Sequence, residues 1–352
     1  MYRCVRFGAL AAFLCGPLAV RAAVTVPAGF VAERFASGLQ GPRFGVIAPN
    51  GDLFVTERKA SRVIVFPKGN STPQVFIQGL HRPSSLAFYK DYLYIGETDS
   101  ISRVPYQRAD RQARGPIERL IAMPAGGHET RTVVFDGKGL MYVGVGSSCN
   151  VCIERDDRRA AITTYDANGH NEHRYATGLR NAVGLAFDAR GRLWGTVNGR
   201  DNLGDDIPPD YVTQIHQGKF YGWPFCYGDK VLDTTFSATP EKCANDTPPT
   251  LEIQAHSAPL GIAFYDAKQF PAEYRGNAFV AYHGSWNRSK KTGYKVVRIP
   301  IRDGKADAPL DFMTGFEDGA LGRPVGVIVA PDGSLFVTDD TRGTIWRIRY
   351  KG

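Results

Sequence analysis

The sequence predicts an all-β fold, a six-bladed β-propeller with four-stranded blades. Three observations predict it. Short alternating apolar runs are separated by Gly, Asp and Asn turns, and no long stretch carries a helical period. One supersecondary unit recurs six times, the signature of a repeat architecture. The strands fill complete sheets only if the N-terminal strand joins the final one.

The six copies start "GLQGPRFGVIAPNGDLFVTER" at Gly38, "GLHRPSSLAFYKDYLYIGET" at Gly79, "GGHETRTVVFDGKGLMYVGVG" at Gly126, "GLRNAVGLAFDARGRLWGTVNG" at Gly178, "SAPLGIAFYDAKQFPAEYRGNAFVAYHG" at Ser257 and "LGRPVGVIVAPDGSLFVTDD" at Leu321. Each reads as a polar loop, an apolar strand, a turn and a second alternating strand. A third strand is readable in four copies: "RVIVFP", "ISRVPY", "YKVVRIP" and "TIWRIRY". A fourth precedes each new copy: "PQVFIQG", "PIERLIAMP", "HRYATG", "PTLEIQA" and, more weakly, "DFMTGF". The same kind of segment, "GFVAERFASG", stands before the first copy, and none follows the third strand of the last. The N-terminal strand therefore closes the last blade, and radial repetition limits exposed edges. A two-domain sandwich would leave six matching units unexplained.

The segment "MYRCVRFGALAAFLCGPLAVRAAVTVP" carries Arg3 and Arg6 ahead of an apolar run and small residues at Ala22 and Ala23, the order of a secretory signal peptide. Residues 1–22 are expected to be this leader and 23–352 one propeller domain, periplasmic or secreted. The run from Phe7 to Val20 contains Gly and Pro and is short for a span of about 20 residues, so no membrane span is expected after cleavage. The mature chain keeps Cys149, Cys152, Cys226 and Cys243, an even number that favours disulfides in an exported protein. Pairing of sequence neighbours is the simplest of three possibilities. "CNVC" alone also fits half a zinc site or a redox pair, although no second CxxC follows.

Hydrophobic residues make up 43% and charged residues 22%, with 39 Gly and 22 Pro, a turn-rich globular composition. The formal net charge of +8 is thinly spread. Nucleic-acid binding needs a concentrated basic face; a small anionic ligand fits better.

In a propeller the loops entering each innermost strand, and those between second and third strands, open on one face around the channel. The first set brings Arg43, His81, Arg82, His128, Arg131, Arg180, Asn181 and Arg323. The second brings Glu57, Glu97, "GSSCNVC", "NGRDNLGDD", "HGSWNRSKK" and "DDTRG". Several arginines around one channel repel each other unless an anion neutralises them, and their planar forks suit carboxylates. A multiply carboxylated ligand is the natural partner, against the alternative that the arginines pair with local acids. "VNGRDNLGDDIPPDYV" is dense in oxygen donors of the kind calcium takes, while Asx turn-capping explains the same residues without a metal.

These motifs carry a resemblance. "GLRNAVGLAFDARGRLW", "NGRDNLGDDIPPDYV", "GKFYGWPFCYG", "HGSWNR" and the final "GRPVGVIVAPDGSLFVTDDTRGTIWRI" resemble the pyrroloquinoline quinone (PQQ) dependent glucose/sorbosone dehydrogenase family over essentially the whole mature chain. The resemblance implies PQQ and calcium as cofactors and an aldose sugar or related alcohol as substrate. It implies that His128 is the general base and that Arg180 and Asn181 hold the cofactor and polarise its quinone oxygens. Arg323 matches an arginine that binds a cofactor carboxylate, and Asn198 an amide beside the cofactor. The carbonyls of Gly199 and Arg200 match calcium contacts. Arg43 joins the cofactor set by blade position. His283 and Trp286 join it where soluble glucose dehydrogenase presents a lysine loop. The chain is shorter than that enzyme and lacks its longer loops, so glucose is not carried over. No CxxCH haem motif is present, so electrons would leave to an external acceptor. Two other readings stand beside this one. They are a calcium-dependent lactonase using the oxygen-rich loop, and a non-catalytic propeller binding a glycan or protein.

Overall fold

The computed structural model describes residues 24–316 and 322–352; the expected leader at 1–22 lies outside the described residues. Six sheets stand around one axis, each a meander whose successive strands pair antiparallel. The first blade runs Pro42–Ile47, Leu53–Glu57, Arg62–Phe66 and Gln74–Gln78. The two third strands hidden from the sequence pattern are Ala161–Tyr165 and Asp210–Gln214. The third blade gains a two-residue fifth strand, Lys219–Phe220, parallel to His173–Thr177. In the last blade Pro324–Val329, Leu335–Asp339 and Thr344–Tyr350 are joined by Phe30–Ala36, from Phe30 opposite Tyr350 to Ala36 opposite Ile345. The expected closure by the N-terminal strand is therefore observed.

Apolar side chains pack between neighbouring blades. Phe54 of the first meets Phe76 and, from the second, Phe88 and Tyr106, with ring centroids 5.0, 5.3 and 5.7 Å apart in edge-on geometry. Such pairs add about 0.5–1.5 kcal/mol beyond burial.

The channel side is built differently. One inner-strand position is small or hydroxylated in every blade: Gly45, Ser85, Thr132, Gly184, Gly261 and Gly326. A Cβ on Gly184 would sit 2.1 Å from the Leu260 carbonyl oxygen, and one on Gly261 2.4 Å from that of Val325. The inner strands thus approach more closely than a methyl group allows. Threonines on second strands bridge the gap. Gly184 N donates to Thr196 Oγ1 at 2.8 Å, and Thr196 donates onward to the Leu260 carbonyl at 2.6 Å. Thr338 repeats this across the seam, accepting from Gly326 N at 2.8 Å and donating to the Arg43 carbonyl at 2.5 Å. These satisfied polar links fix each inner strand against the next, and they place Arg43 at the channel mouth.

Candidate functional site

The loops entering the inner strands converge on a cavity of about 250 Å³ lined by Arg43, His128, Arg180, Asn181, Asn198, Gly199, His283, Trp286 and Arg323. These nine are site residues expected from the sequence. Arg200, the tenth, turns its guanidinium away to Asp233 and Thr235, at 2.6 and 2.8 Å.

His128 precedes the third blade's inner strand, Arg131–Phe135. Gly146 makes room for it, since a Cβ there would lie 2.7 Å from His128 Cβ and 2.4 Å from Asn181 Oδ1. His128 Nδ1 is 2.9 Å from the Ser147 carbonyl and 3.1 Å from Ser147 Oγ. A carbonyl can only accept, so the neutral ring carries its proton on Nδ1 and leaves the Nε2 lone pair free. Burial, and then the nearby Arg180 charge, push its pKa down to about 4. The imidazole is therefore neutral around pH 7.

Asn150, between the two cysteines of "CNVC", organises the next part. Its carbonyl accepts from Arg180 Nε at 3.0 Å and from Trp223 Nε1 at 3.2 Å, and its Oδ1 accepts from Arg180 Nη2 and Asp201 N at 2.9 and 2.8 Å. Arg180 also donates to the Gly199 carbonyl at 2.6 Å and to Asp201 Oδ2 at 3.2 Å. Asp201 Oδ1 accepts from Asn287 Nδ2 at 2.7 Å. Buried Asp210 ties Gly199 N and Ala258 N, at 2.7 and 2.8 Å; burial raises its pKa to about 6 against those two donors.

The seam supplies the opposite wall. Asp340 accepts from Arg43 Nη1 at 2.8 Å and from His283 Nε2 at 2.9 Å. Burial works to raise its pKa, but the His283 hydrogen bond and the charges of His283 and Arg43 outweigh that and hold it well below the usual carboxylate range. Arg323 Nη2 donates to the Ser285 carbonyl at 3.0 Å and to Tyr294 Oη at 2.9 Å. Asn198 Nδ2 donates to the Pro259 carbonyl at 2.8 Å, and Asn181 Nδ2 to Asn198 Oδ1 at 3.3 Å. Trp286 stands at the rim, 66% exposed.

Several other residues of the two loop sets are structural. Arg131 is fully buried and braces the carbonyls of Pro124, His128 and Thr130. Glu57 and Glu97 accept the backbone N–H groups of Gln40 and His81. His81 pairs with Asp99, while Asp205 and Asp206 hold the loop of Ser289 and Arg288. Both sequence-local disulfides, Cys149–Cys152 and Cys226–Cys243, are formed. Reading by motif missed His256 and Asp210, which also line the cavity. His256 stands just ahead of its inner strand, as His128 does, and that register was the available signal. Asp210 opens a third strand that the pattern did not reveal.

The cavity can hold a flat, anionic molecule. Three guanidinium groups face it, and Arg43 Nε and Asn287 Oδ1 are buried without a partner. Fold and site together define a propeller with a cavity on its channel face that holds a neutral histidine and three arginines. The chain belongs to the TrAA12-like family, whose model matches residues 24–351. It is 30% identical to an uncharacterised protein of Borreliella burgdorferi over 353 residues, 94% of this chain and 92% of that protein. It is 28% identical over 292 residues to a PQQ-dependent pyranose dehydrogenase of Coprinopsis cinerea, covering 63% of this chain and 39% of that enzyme. The chain thus matches about two-fifths of that relative's length. The holo form of the pyranose dehydrogenase PQQ domain from Coprinopsis cinerea superposes with a TM-score of 0.82 at 26% identity, over 94% of this chain and 97% of that one. A calcium structure of a Trichoderma reesei AA12 enzyme gives 0.81 at 21% identity, over 94% and 97%.

Proposed function

We propose that the protein is an exported, PQQ- and calcium-dependent dehydrogenase that oxidises an aldose sugar or related alcohol, with His128 as general base. The observation that carries this is the His128 ring, neutral and proton-bearing at Nδ1, with Nε2 free in a cavity faced by three arginines. The pyranose dehydrogenase relative supports the reaction class.

Arg43, Arg323 and the donors left on Arg180 would hold the cofactor's carboxylates, with Asn181, Asn198 and His283 around its ring and Trp286 at its edge. Calcium would be taken by the Gly199 and Arg200 carbonyls. The Gly199 carbonyl accepts one hydrogen bond from Arg180 and keeps a second lone pair. When bound, the quinone supplies the hydride acceptor and calcium a Lewis acid. His128 Nε2 accepts the proton of the anomeric hydroxyl as the adjacent C–H bond gives up its hydride, and the product is a lactone. The Nδ1 bond to Ser147 fixes the tautomer before the transfer and holds the ring's orientation through it. An external acceptor would take the electrons on.

The lactonase reading needs carboxylates and amides from several blades around one ion, and the arginine set argues against it. Among the described residues, the one group of three His, Cys, Asp or Glu side chains close enough for that is Cys149, Cys152 and Glu154, whose sulfurs are joined in the disulfide. The test is titration of the purified chain with PQQ and calcium, followed by cofactor absorbance and dye reduction with a panel of aldoses. Stoichiometric PQQ uptake and sugar-dependent dye reduction are expected. No PQQ uptake, or lactone hydrolysis with calcium alone, would overturn the reading.

A further inference from the structure

A second hollow, of about 320 Å³, adjoins the cavity through Arg43 and is lined by Arg58, Lys59, Arg82 and Asp340. Its cations outnumber the carboxylates that serve them. Asp340 is taken by Arg43 and His283, and Glu129 is shared by Arg58 and Arg82. Lys59 makes no ion pair among the described residues. Arg43 is only 7% exposed, and Nε of both Arg43 and Arg58 is buried without an acceptor. Arg82 holds a left-handed backbone, φ +50°, and its side chain reaches Glu129. Burial, and then the charges of Arg43 and Arg82, push the Arg58 pKa down to about 10, as expected of a cluster short of an anion.

The hollow sits close to the reacting position. His128, Glu129 and Thr130 are consecutive: the first faces the cavity, the second pairs with Arg58 and Arg82, and the third accepts from Arg43 Nη2 at 3.3 Å. The two hollows share Arg43, so an anion held by Arg58 or Arg82 adjoins the cavity that His128 lines.

We infer that the hollow of Arg58, Lys59 and Arg82 is a subsite for an anionic substituent of the sugar, and that the substrate class is an acidic monosaccharide such as a uronate or a sugar phosphate. This rests on the dehydrogenase reading. The substituent takes no part in bond making: on that reading the C1–H hydride would go to the quinone and the C1 hydroxyl proton to His128, and the lactone would leave with its anion unchanged.

The experiment compares glucuronate, glucose 6-phosphate and glucose on the PQQ- and calcium-loaded protein at low and high salt, in the natural chain and in the double variant Arg58→Gln, Lys59→Gln. A charge-assisted contact corresponds to about tenfold to a hundredfold in affinity. The kcat/KM ratio of the preferred anionic sugar over glucose should therefore exceed ten at low salt, and it should fall about tenfold with the double substitution or with salt. Whether glucuronate or the phosphate is preferred identifies the source of the anion. A ratio near one, or a ratio unmoved by the double substitution, overturns the inference while leaving the dehydrogenase reading intact. If no sugar is oxidised, that reading fails instead, and calorimetry with glucuronate decides the subsite. Binding weakened at least tenfold by Arg58→Gln, Lys59→Gln upholds it, and absent or unchanged binding overturns it.

Discussion

His128 Nδ1 lies 2.9 Å from the carbonyl oxygen of Ser147, and this one contact decides which ring nitrogen can work as a base. With Nδ1 committed as donor, Nε2 alone can take a proton. His128→Ala should retain PQQ binding and lose dye reduction by about a hundredfold to ten-thousandfold. Cofactor titration and turnover, measured on the same preparation, check both halves.

The same histidine fixes a pH dependence. Its folded pKa of about 4 lies below the ordinary value of about 6.5. Between these values the unfolded chain binds a proton that the folded chain refuses. Stability from the neutral ring is therefore complete above about pH 6.5 and falls as the pH drops towards 4, by at most about 3 kcal/mol. Urea unfolding across that window should show the loss, and His128→Gln should flatten it. The base stays deprotonated through the window, so kcat/KM should not show a limb near pH 6.5 from this residue.

Asp340 serves Arg43 and His283 together. Asp340→Asn removes the charge and leaves Arg43 without its counter-ion, which costs about 1.5–3 kcal/mol for a hydrogen bond to a charged group. Because the Asp340 pKa is held low, the stability it contributes is present above the ordinary carboxylate pKa and is lost as the pH falls through its folded value. Thermal unfolding at pH 7 should shift down in the variant, and PQQ affinity should weaken with it.

Asn150 clamps Arg180 and Asp201 by side chain and backbone. Asn150→Ala should weaken PQQ binding by about tenfold or more, the worth of the lost charge-assisted contact. Reduction of Cys149–Cys152, which flanks it, should act in the same direction. Cofactor titration with and without a thiol reductant tests this.

Gly184 and Gly261 report on the channel. Gly184→Ala drives a methyl group into the Leu260 carbonyl and should cost at least about 1–3 kcal/mol, the usual penalty of overpacking. Gly137→Ala, with open space around it, should stay within about 0.5 kcal/mol. Denaturant midpoints of the two variants give the comparison.

Much of this architecture was legible because a propeller repeats its own grammar. The entry loops of His128, Arg180 and Arg323 could be aligned without knowing what they bind. Ala161–Tyr165 escaped because its sequence, AITTY, sets two threonines side by side, which breaks the alternation that marks a strand. Asp210–Gln214 escaped because its first residue looked like part of an acidic loop. Arg131 misled for the opposite reason: an arginine in an entry loop reads as a ligand donor, but here backbone carbonyls consume it. His256 carries no motif, and only its register ahead of the inner strand, shared with His128, marked it.

The seam between Phe30–Ala36 and Thr344–Tyr350 also sets an order of assembly. Arg43 is made early on the ribosome and its partner Asp340 nearly three hundred residues later. The wall they form together cannot exist on a nascent chain, nor before the first strand has docked on the last sheet. On the dehydrogenase reading, cofactor capture would therefore follow synthesis, and a loaded site would certify that the ring has shut.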